Sequence, residues 1–219
     1  MKEASFEREK GTIKRFTCGQ DNVYLVEQSG RKALVDTGRT SSRSELLAAL
    51  ARYGVDVILL THGHFDHVQN AAFFSREFAA PIALSAADMP LIASNATQTM
   101  SASTLPGKVL MRKFAKEMRT EHIEPFEPSM LLREGFPLYE FGFDANVIAL
   151  PGHTMGSMGF DFWGSDVFVG DALISIPSAQ RALMWHDAQA VEESCQRISN
   201  MGTRTVHFGH GTEHSNRIW

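Results

Sequence analysis

The sequence predicts a layered α/β fold, and three observations carry that prediction. Short β-rich runs alternate with helical stretches along most of the chain. The two halves are written in the same style, each a series of apolar runs that end in glycine, histidine or aspartate. No fixed-period repeat or low-complexity segment interrupts the pattern. A length of 219 residues suits one domain over residues 1–219 and is enough chain to bury a substantial core.

Three strands are expected first, at Thr12–Phe16, Val23–Glu27 and Lys32–Val35, the last two joined through Gln28-Ser29-Gly30-Arg31. Asp36-Thr37-Gly38 breaks the pattern. Ser42 or Ser44 then caps a helix carrying Leu46, Leu47, Leu50 and Tyr53, with Gly54 as its stop. Val57–Leu60 is a continuous apolar run of the buried-strand type. A helix from Asn70 to Phe78 and a strand over Pro81–Leu84 follow. In the second half, strands Val147–Leu150, Val167–Val169 and Thr205–Phe208 run into Pro151-Gly152-His153, Gly170-Asp171 and Gly209-His210-Gly211. Asp187 caps a helix that runs to about Met201, before Gly202.

Residues 93–129 depart from this style. They are polar at first and then basic and helix-like from Lys108 to Arg119. A solvated helical excursion accounts for them. The sharper alternative is a helical insertion acting as a lid, with Lys108, Arg112, Lys113, Lys116 or Arg119 meeting an anionic substrate.

The bulk composition narrows the function classes. A formal net charge of −4 offers no general basic footprint, so nucleic acid is not an expected partner. It says little about the substrate, expected to be a small molecule, because a bound metal would reverse the sign locally. No apolar run approaches the ~18 residues of a membrane span. Cys18 and Cys195 form no CxxC pair and read as reduced, buried thiols. The charged N-terminus lacks a secretory apolar segment, which makes the expected setting cytoplasmic. A homodimer stays open.

The chemistry concentrates in Thr61-His62-Gly63-His64-Phe65-Asp66-His67. Neutral imidazoles offer lone pairs and an ionised carboxylate offers an anionic oxygen, and a divalent cation satisfies all of them at once. His62 and His64 share a side of extended chain, whereas Asp66 and His67 fall where the chain turns toward a helix. The motif therefore offers two pairs to two neighbouring points, the geometry of two ions some 3.5–4 Å apart. An apolar run followed at once by His or Asp recurs at His153, Asp171 and His210. Strand ends of that kind gather on one rim of a layered α/β fold. Glycines beside these residues let the backbone approach an ion closely.

With His153 in Pro-Gly-His-Thr, Asp171 in Gly-Asp, His210 in Gly-His-Gly and an early Asp36-Thr37-Gly38 turn, the chain resembles the metallo-β-lactamase superfamily. The motifs span residues 36 to 210. The resemblance implies an αββα sandwich, two mixed sheets flanked by helices, with the metal site along one edge. It implies one ion on His62, His64 and His153, and a second on Asp66, His67 and His210. Asp171 would bridge the two and Asp36 would brace the metal loop. Zinc is the expected metal, with manganese or iron as alternatives. A water between the ions would ionise near neutral pH and attack a carbonyl, with Asp66 shuttling the proton to the leaving atom.

Within the superfamily, an aspartate at position 171 resembles the glyoxalase II-like thioesterases, the lactonases and the RNase Z-like nucleases. True class B β-lactamases commonly carry cysteine or histidine there. Glyoxalase II adds a C-terminal glutathione-binding domain, whereas this sequence runs nine residues past His210, so it is expected to lack that domain. The lactonases carry a tyrosine shortly after the bridging aspartate, where Ala172, Leu173 and Ile174 stand. The leading expectation is hydrolysis of a thioester or other ester or lactone. A mononuclear iron persulfide dioxygenase using His62, His153 and Asp171, or a phosphodiesterase, is the alternative. Trp185 and His186 are the candidate pocket-border residues. His207 is expected to face the sheet interior or support His210, with His122 and His214 in solvent.

Overall fold

The computed structural model describes residues 1–219. The first half forms strands β1 (Lys2–Arg8), β2 (Gly11–Cys18), β3 (Asp21–Gln28) and β4 (Arg31–Val35), then helix α1 (Arg43–Leu50) and strand β5 (Val57–Leu59). Helices α2 (Phe65–Val68) and α3 (Ala71–Phe78) lead to β6 (Ile82–Ser85), and α4 (Met89–Ala93) and α5 (Leu105–Thr120) lead to β7 (Met130–Leu132). These strands make one seven-stranded sheet in chain order, antiparallel from β1 to β4 and parallel from β4 to β7.

The second half supplies β8 (Ala145–Ala149), β9 (Met158–Phe162), β10 (Asp166–Phe168), the hairpin β11 (Leu173–Ser175) and β12 (Ala179–Arg181), α6 (Ala188–Ser199), β13 (Thr205–His207) and β14 (His214–Ser215). Five of them form a second sheet in the order β14-β13-β10-β9-β8, in which only β10 and β13 run parallel. Both sheets are therefore mixed.

Alternation along the strands explains the layers. In β3 the side chains of Tyr24 and Val26 enter one cluster with Phe160, Phe162 and Phe168 of the second sheet, while Val23 and Leu25 enter another with Leu46, Phe65 and Phe74 of the helices. A period of two makes successive residues face opposite sides, and both sides are apolar because both are covered. The second sheet repeats this: Val147 and Phe168 point between the sheets, while Ile148, Val167 and Val206 pack with Val191, Cys195 and Ile198 of α6. Three apolar layers between four structural ones give the αββα sandwich expected from the sequence.

Local signals account for the boundaries. Asp187 Oδ1 accepts from the backbone N–H of Gln189 and Ala190 at 2.9 and 3.1 Å, capping α6. That helix ends at Ser199, two residues short of the expected Met201. Six strands, β1, β7, β9, β11, β12 and β14, escape the sequence reading. β1 carries Lys2, Glu3, Glu7 and Arg8 on an edge, where charge blocks further pairing and hides the apolar alternation. In β9 Asp161 interrupts the apolar run and is held by Arg204 at 3.0 Å. Cys18 and Cys195 are free and buried, and burial pushes both thiols up to about 11. No helix is long and apolar enough to cross a membrane.

Candidate metal centre

His62 follows β5, His153 follows β8, Asp171 follows β10 and His210 follows β13, so four carboxyl-terminal strand ends bring their polar residues to one rim. His64, Asp66 and His67 enter through α2, which begins at Phe65. Three sets of three result: His62, His64 and His153; His62, His67 and Asp171; and Asp66, His67 and His210. Within each set the possible ligand atoms lie within 4.8 Å of one another.

Asp171 stands between the halves. Its Oδ1 is 3.6 Å from His67 Nε2, and its Oδ2 is 3.6 Å from His153 Nε2 and 3.3 Å from His210 Nε2. Ligands ~2.0–2.2 Å from a tetrahedral ion are themselves about 3.3–3.6 Å apart, so these gaps have the size of a cation's coordination shell. Five buried atoms of the cluster have no hydrogen-bond partner: the Nε2 atoms of His62, His64 and His67, Asp66 Oδ1 and Asp171 Oδ1. Buried polar atoms are rarely left so, and four of these five, His64 Nε2 apart, fit a positive occupant.

The surroundings fix which ring nitrogen is free. His67 Nδ1 donates to Asp36 Oδ2 at 2.8 Å, His153 Nδ1 to Met184 O at 3.0 Å, and His210 Nδ1 to Gln20 O at 3.0 Å. The Thr61 hydroxyl donates to Asp36 and accepts from His62 Nδ1 at 3.0 Å. Each of these rings keeps the Nε2 lone pair for a cation. His64 is reversed, with Nδ1 3.0 Å from His153 Nε2 and its ring edge-on to Phe114. Asp36 holds φ +60, a left-handed conformation that aspartate tolerates better than most residues, and accepts from Thr61 N at 2.8 Å.

Close backbone approach is also required. A Cβ at Gly209 would meet Asp171 Oδ1 at 2.4 Å and His67 Cε1 at 2.7 Å, so a side chain there would displace the cluster.

Charge divides the site. Burial, with the neighbouring histidines, drives His62 and His64 well below the usual histidine range. Burial also opposes charge on His67 and His210, but the carboxylates outweigh it. Asp36, Asp171 and Asp66 raise His67 to about 9, and Asp171, Asp66 and Asp21 raise His210 to about 10. Against its own burial, Asp171 is held far below the usual carboxylate range by His210 and His67. Without a cation the cluster thus holds protons where positive charge belongs.

A cavity of about 250 Å³ opens on Asp66, Asp171 and His210. Its walls come from Arg39, from Leu110, Lys113, Phe114 and Glu117 of α5, and from Ile174, Ile176 and Pro177 of the hairpin. Neither Trp185 nor His186 lines it, which corrects the expectation from sequence. Trp185 borders a separate cavity with Arg181 and Glu192, and His186 Nδ1 donates to Thr99 O at 3.0 Å. Of the basic residues between 108 and 119, Lys113 alone reaches the cavity. His207 packs between the sheets, stacked on Phe168, with Nε2 2.9 Å from Asp166, and so does not support His210. His122 and His214 are exposed.

Two residues of the site were invisible in the sequence. Asp88, fully buried, accepts from Gly63 N at 3.0 Å, Thr154 Oγ1 at 2.6 Å, Gly156 N at 2.8 Å and Gln98 Nε2 at 3.0 Å. It thereby ties the His62–His64 loop to the His153 loop, although in sequence it resembles a helix cap before Pro90. Arg39 joins Asp21 at 2.9 Å, Glu117 at 3.0 Å and Asp66 Oδ2 at 3.6 Å, and lies over the Phe65 ring at 4.8 Å.

The fold and this rim of ligands define a metallo-β-lactamase-type protein. A sequence profile described as the metallo-beta-lactamase superfamily matches residues 16–210, and the chain belongs to that superfamily. Among curated relatives, hydroxyacylglutathione hydrolase GloC of Haemophilus influenzae is 29% identical over 160 residues, covering 72% of this chain and 68% of that protein. Hydroxyacylglutathione hydrolase of Acidiphilium cryptum is 28% identical over 167 residues, covering 75% of this chain and 54% of that protein. The chain thus spans between about half and two thirds of the lengths of these relatives. Among solved structures, TTHA1623 in a di-iron-bound form is 28% identical with a TM-score of 0.64, covering 92% of this chain and 93% of that one.

Proposed function

We propose that this chain is a metal-dependent hydrolase with two divalent cations, most simply zinc, that cleaves a thioester or other ester or lactone of a small molecule. The observation that carries the reading is Asp171, whose two oxygens lie between His67 on one side and His153 and His210 on the other. The proposed ligands are His62, His64 and His153 for one ion and Asp66, His67 and His210 for the other, with Asp171 shared. When bound, such ions supply a water that is acidic near neutral pH and a Lewis-acid pull on a carbonyl.

The chain's own residues do the rest. Asp36 and the carbonyls of Met184 and Gln20 hold the rings in the tautomer that leaves Nε2 free. Asp66 has one buried oxygen without a partner and the other beside Arg39. It is the proposed carrier of the proton from the attacking water to the departing sulfur or oxygen, as water's oxygen joins the acyl carbon and the bond to the leaving group breaks. Helix α5, through Leu110, Phe114 and the Glu117–Arg39 ion pair, is the proposed lid of the 93–129 insertion. The single domain over 1–219 and a cytoplasmic setting belong to the same proposal, the latter supported by two free, buried cysteines.

The relatives named hydroxyacylglutathione hydrolase support thioester chemistry, and a di-iron form of a similar structure supports two ions. A mononuclear iron site on His62, His153 and Asp171 would leave Asp66 Oδ1 and His67 Nε2 buried without partners. Metal analysis of protein purified without added metal tests the proposal. About two ions per chain with thioester or lactone hydrolysis upholds it. A single iron with oxygen uptake on a persulfide overturns it.

A further inference from the structure

Resting on the ester-hydrolase reading above, we infer that the centre selects substrates with an apolar acyl chain, which lies between α5 and the β11–β12 hairpin while the leaving group faces Asp66. The cavity lining mixes apolar and charged side chains. Leu110 and Phe114, four residues apart and so one turn apart on α5, share its lining with Ile174 and Ile176 of the hairpin region. Arg39, Asp66 and His210 line the same cavity, as do Lys113 and Glu117, which are interleaved with Leu110 and Phe114 along α5.

The apolar lining reaches one half of the metal centre. A nook of about 20 Å³ is lined by His153 and Asp171 together with Leu110, Ile174, Leu183 and Met184, the last four of which also line the larger cavity. The nook therefore carries the apolar lining inward to His153. Asp66 and His210 line the larger cavity but not the nook. An acyl chain on the nook side of the centre thus leaves Asp66, outside the nook, to face the leaving group.

The charged residues of the lining offer little to hold an ionic leaving group. Arg39 is engaged by Asp21, Asp66 and Glu117. That leaves Lys113, whose side chain is 74% exposed and whose nearest acid is Glu117 at 3.9 Å. A leaving group with two carboxylates finds a single available ammonium there. Selection therefore falls to the apolar lining, where each added methylene leaves water for aliphatic and aromatic side chains.

The test uses acetyl, hexanoyl and decanoyl thioesters of one thiol with the metal-loaded protein, and with Ile174→Ala and Leu110→Ala, both positions partly exposed and outside the metal cluster. We expect kcat/KM to rise about fourfold per buried methylene, equivalent to ~0.8 kcal/mol. Each variant should lower the decanoyl-to-acetyl ratio about tenfold with metal content retained. Calorimetry with decanoate and acetate adds a measurement independent of turnover, with decanoate binding at least tenfold more tightly. A wild-type ratio near one, or variants that keep the wild-type ratio, overturn the inference. Absence of turnover with every thioester sinks the hydrolase reading alone. In that case tighter decanoate binding still upholds the apolar acyl site, and equal binding of the two acids overturns it.

Discussion

Replacing Asp36 with asparagine isolates the contribution of a buried carboxylate that would touch no metal. Asp36 receives protons from two sides: Oδ1 accepts from Thr61 N at 2.8 Å, and Oδ2 accepts from His67 Nδ1 at 2.8 Å. An amide has one acceptor end. With its oxygen on Thr61, its N–H₂ faces His67 and forces the ring to present a lone pair at Nδ1, which moves the proton to Nε2, the atom that faces Asp171. With the amide reversed, the N–H₂ opposes the Thr61 N–H. The first orientation takes the His67 Nε2 lone pair from the cation, and the second leaves the buried Thr61 N–H without a partner, about 1–3 kcal/mol. Loss of the partner behind a metal-binding histidine typically weakens the metal 10- to 100-fold, about 1.4–2.7 kcal/mol, so two independent arguments agree on size. Zinc titration of the metal-free variant by calorimetry with a competing chelator is the assay. One of two sites should weaken about 10- to 100-fold, with the site around His64 and His153 affected less. If Asp36→Asn keeps both affinities and loses only stability, Asp36 is a fold residue and the tautomer argument is refuted.

Three further outcomes are expected. Asp88→Ala strips the acceptor from four donors on three segments and should cost about 3–5 kcal/mol in urea unfolding, whereas a loss under 1 kcal/mol would show that water replaces the carboxylate. Because His67 and His210 stand at about 9 and 10 in the metal-free protein, metal binding at pH 7.5 should release about two protons, countable by calorimetry in buffers of different ionisation enthalpy; release of none contradicts that charge state. Asp166 is held well below its usual range against its own burial, by bonds from His207, Arg8 and Ser165, so its stabilisation is complete above about pH 5 and fades as pH falls. The stability gap between wild type and Asp166→Asn should therefore hold from pH 7 to about pH 5 and narrow mainly below about pH 4, and a gap that stays constant down to about pH 2 would exclude the carboxylate's charge as its source.

Much of the fold is legible from local pattern. The doubly apolar runs at Val23–Val26 and Val57–Leu60 announce strands covered on both faces, and Asp187 announces its helix through a bond to residues two and three positions away. β1 is illegible because an edge strand carries its charges where alternation would otherwise show. Asp88 and Arg39 are illegible for a different reason. Asp88 reaches Gly156 across 68 positions and Arg39 reaches Glu117 across 78, and no local spacing encodes such pairs. Trp185 and His186 fall outside the cavity because the side to which their loop turns is set by contacts such as that of His186 with Thr99, 87 positions away.

By itself the sequence determined the donor chemistry: imidazoles and carboxylates placed just past apolar runs, with glycines where backbone must come close. Those are properties of single residues and their neighbours. Only the tertiary structure decided that Asp171 stands between two sets of ligands, that His64 turns its other ring nitrogen inward, and that α5 and the hairpin wall the cavity. The distances between strand ends are set by how two sheets and their helices pack, and packing is a sum over contacts far apart in the chain.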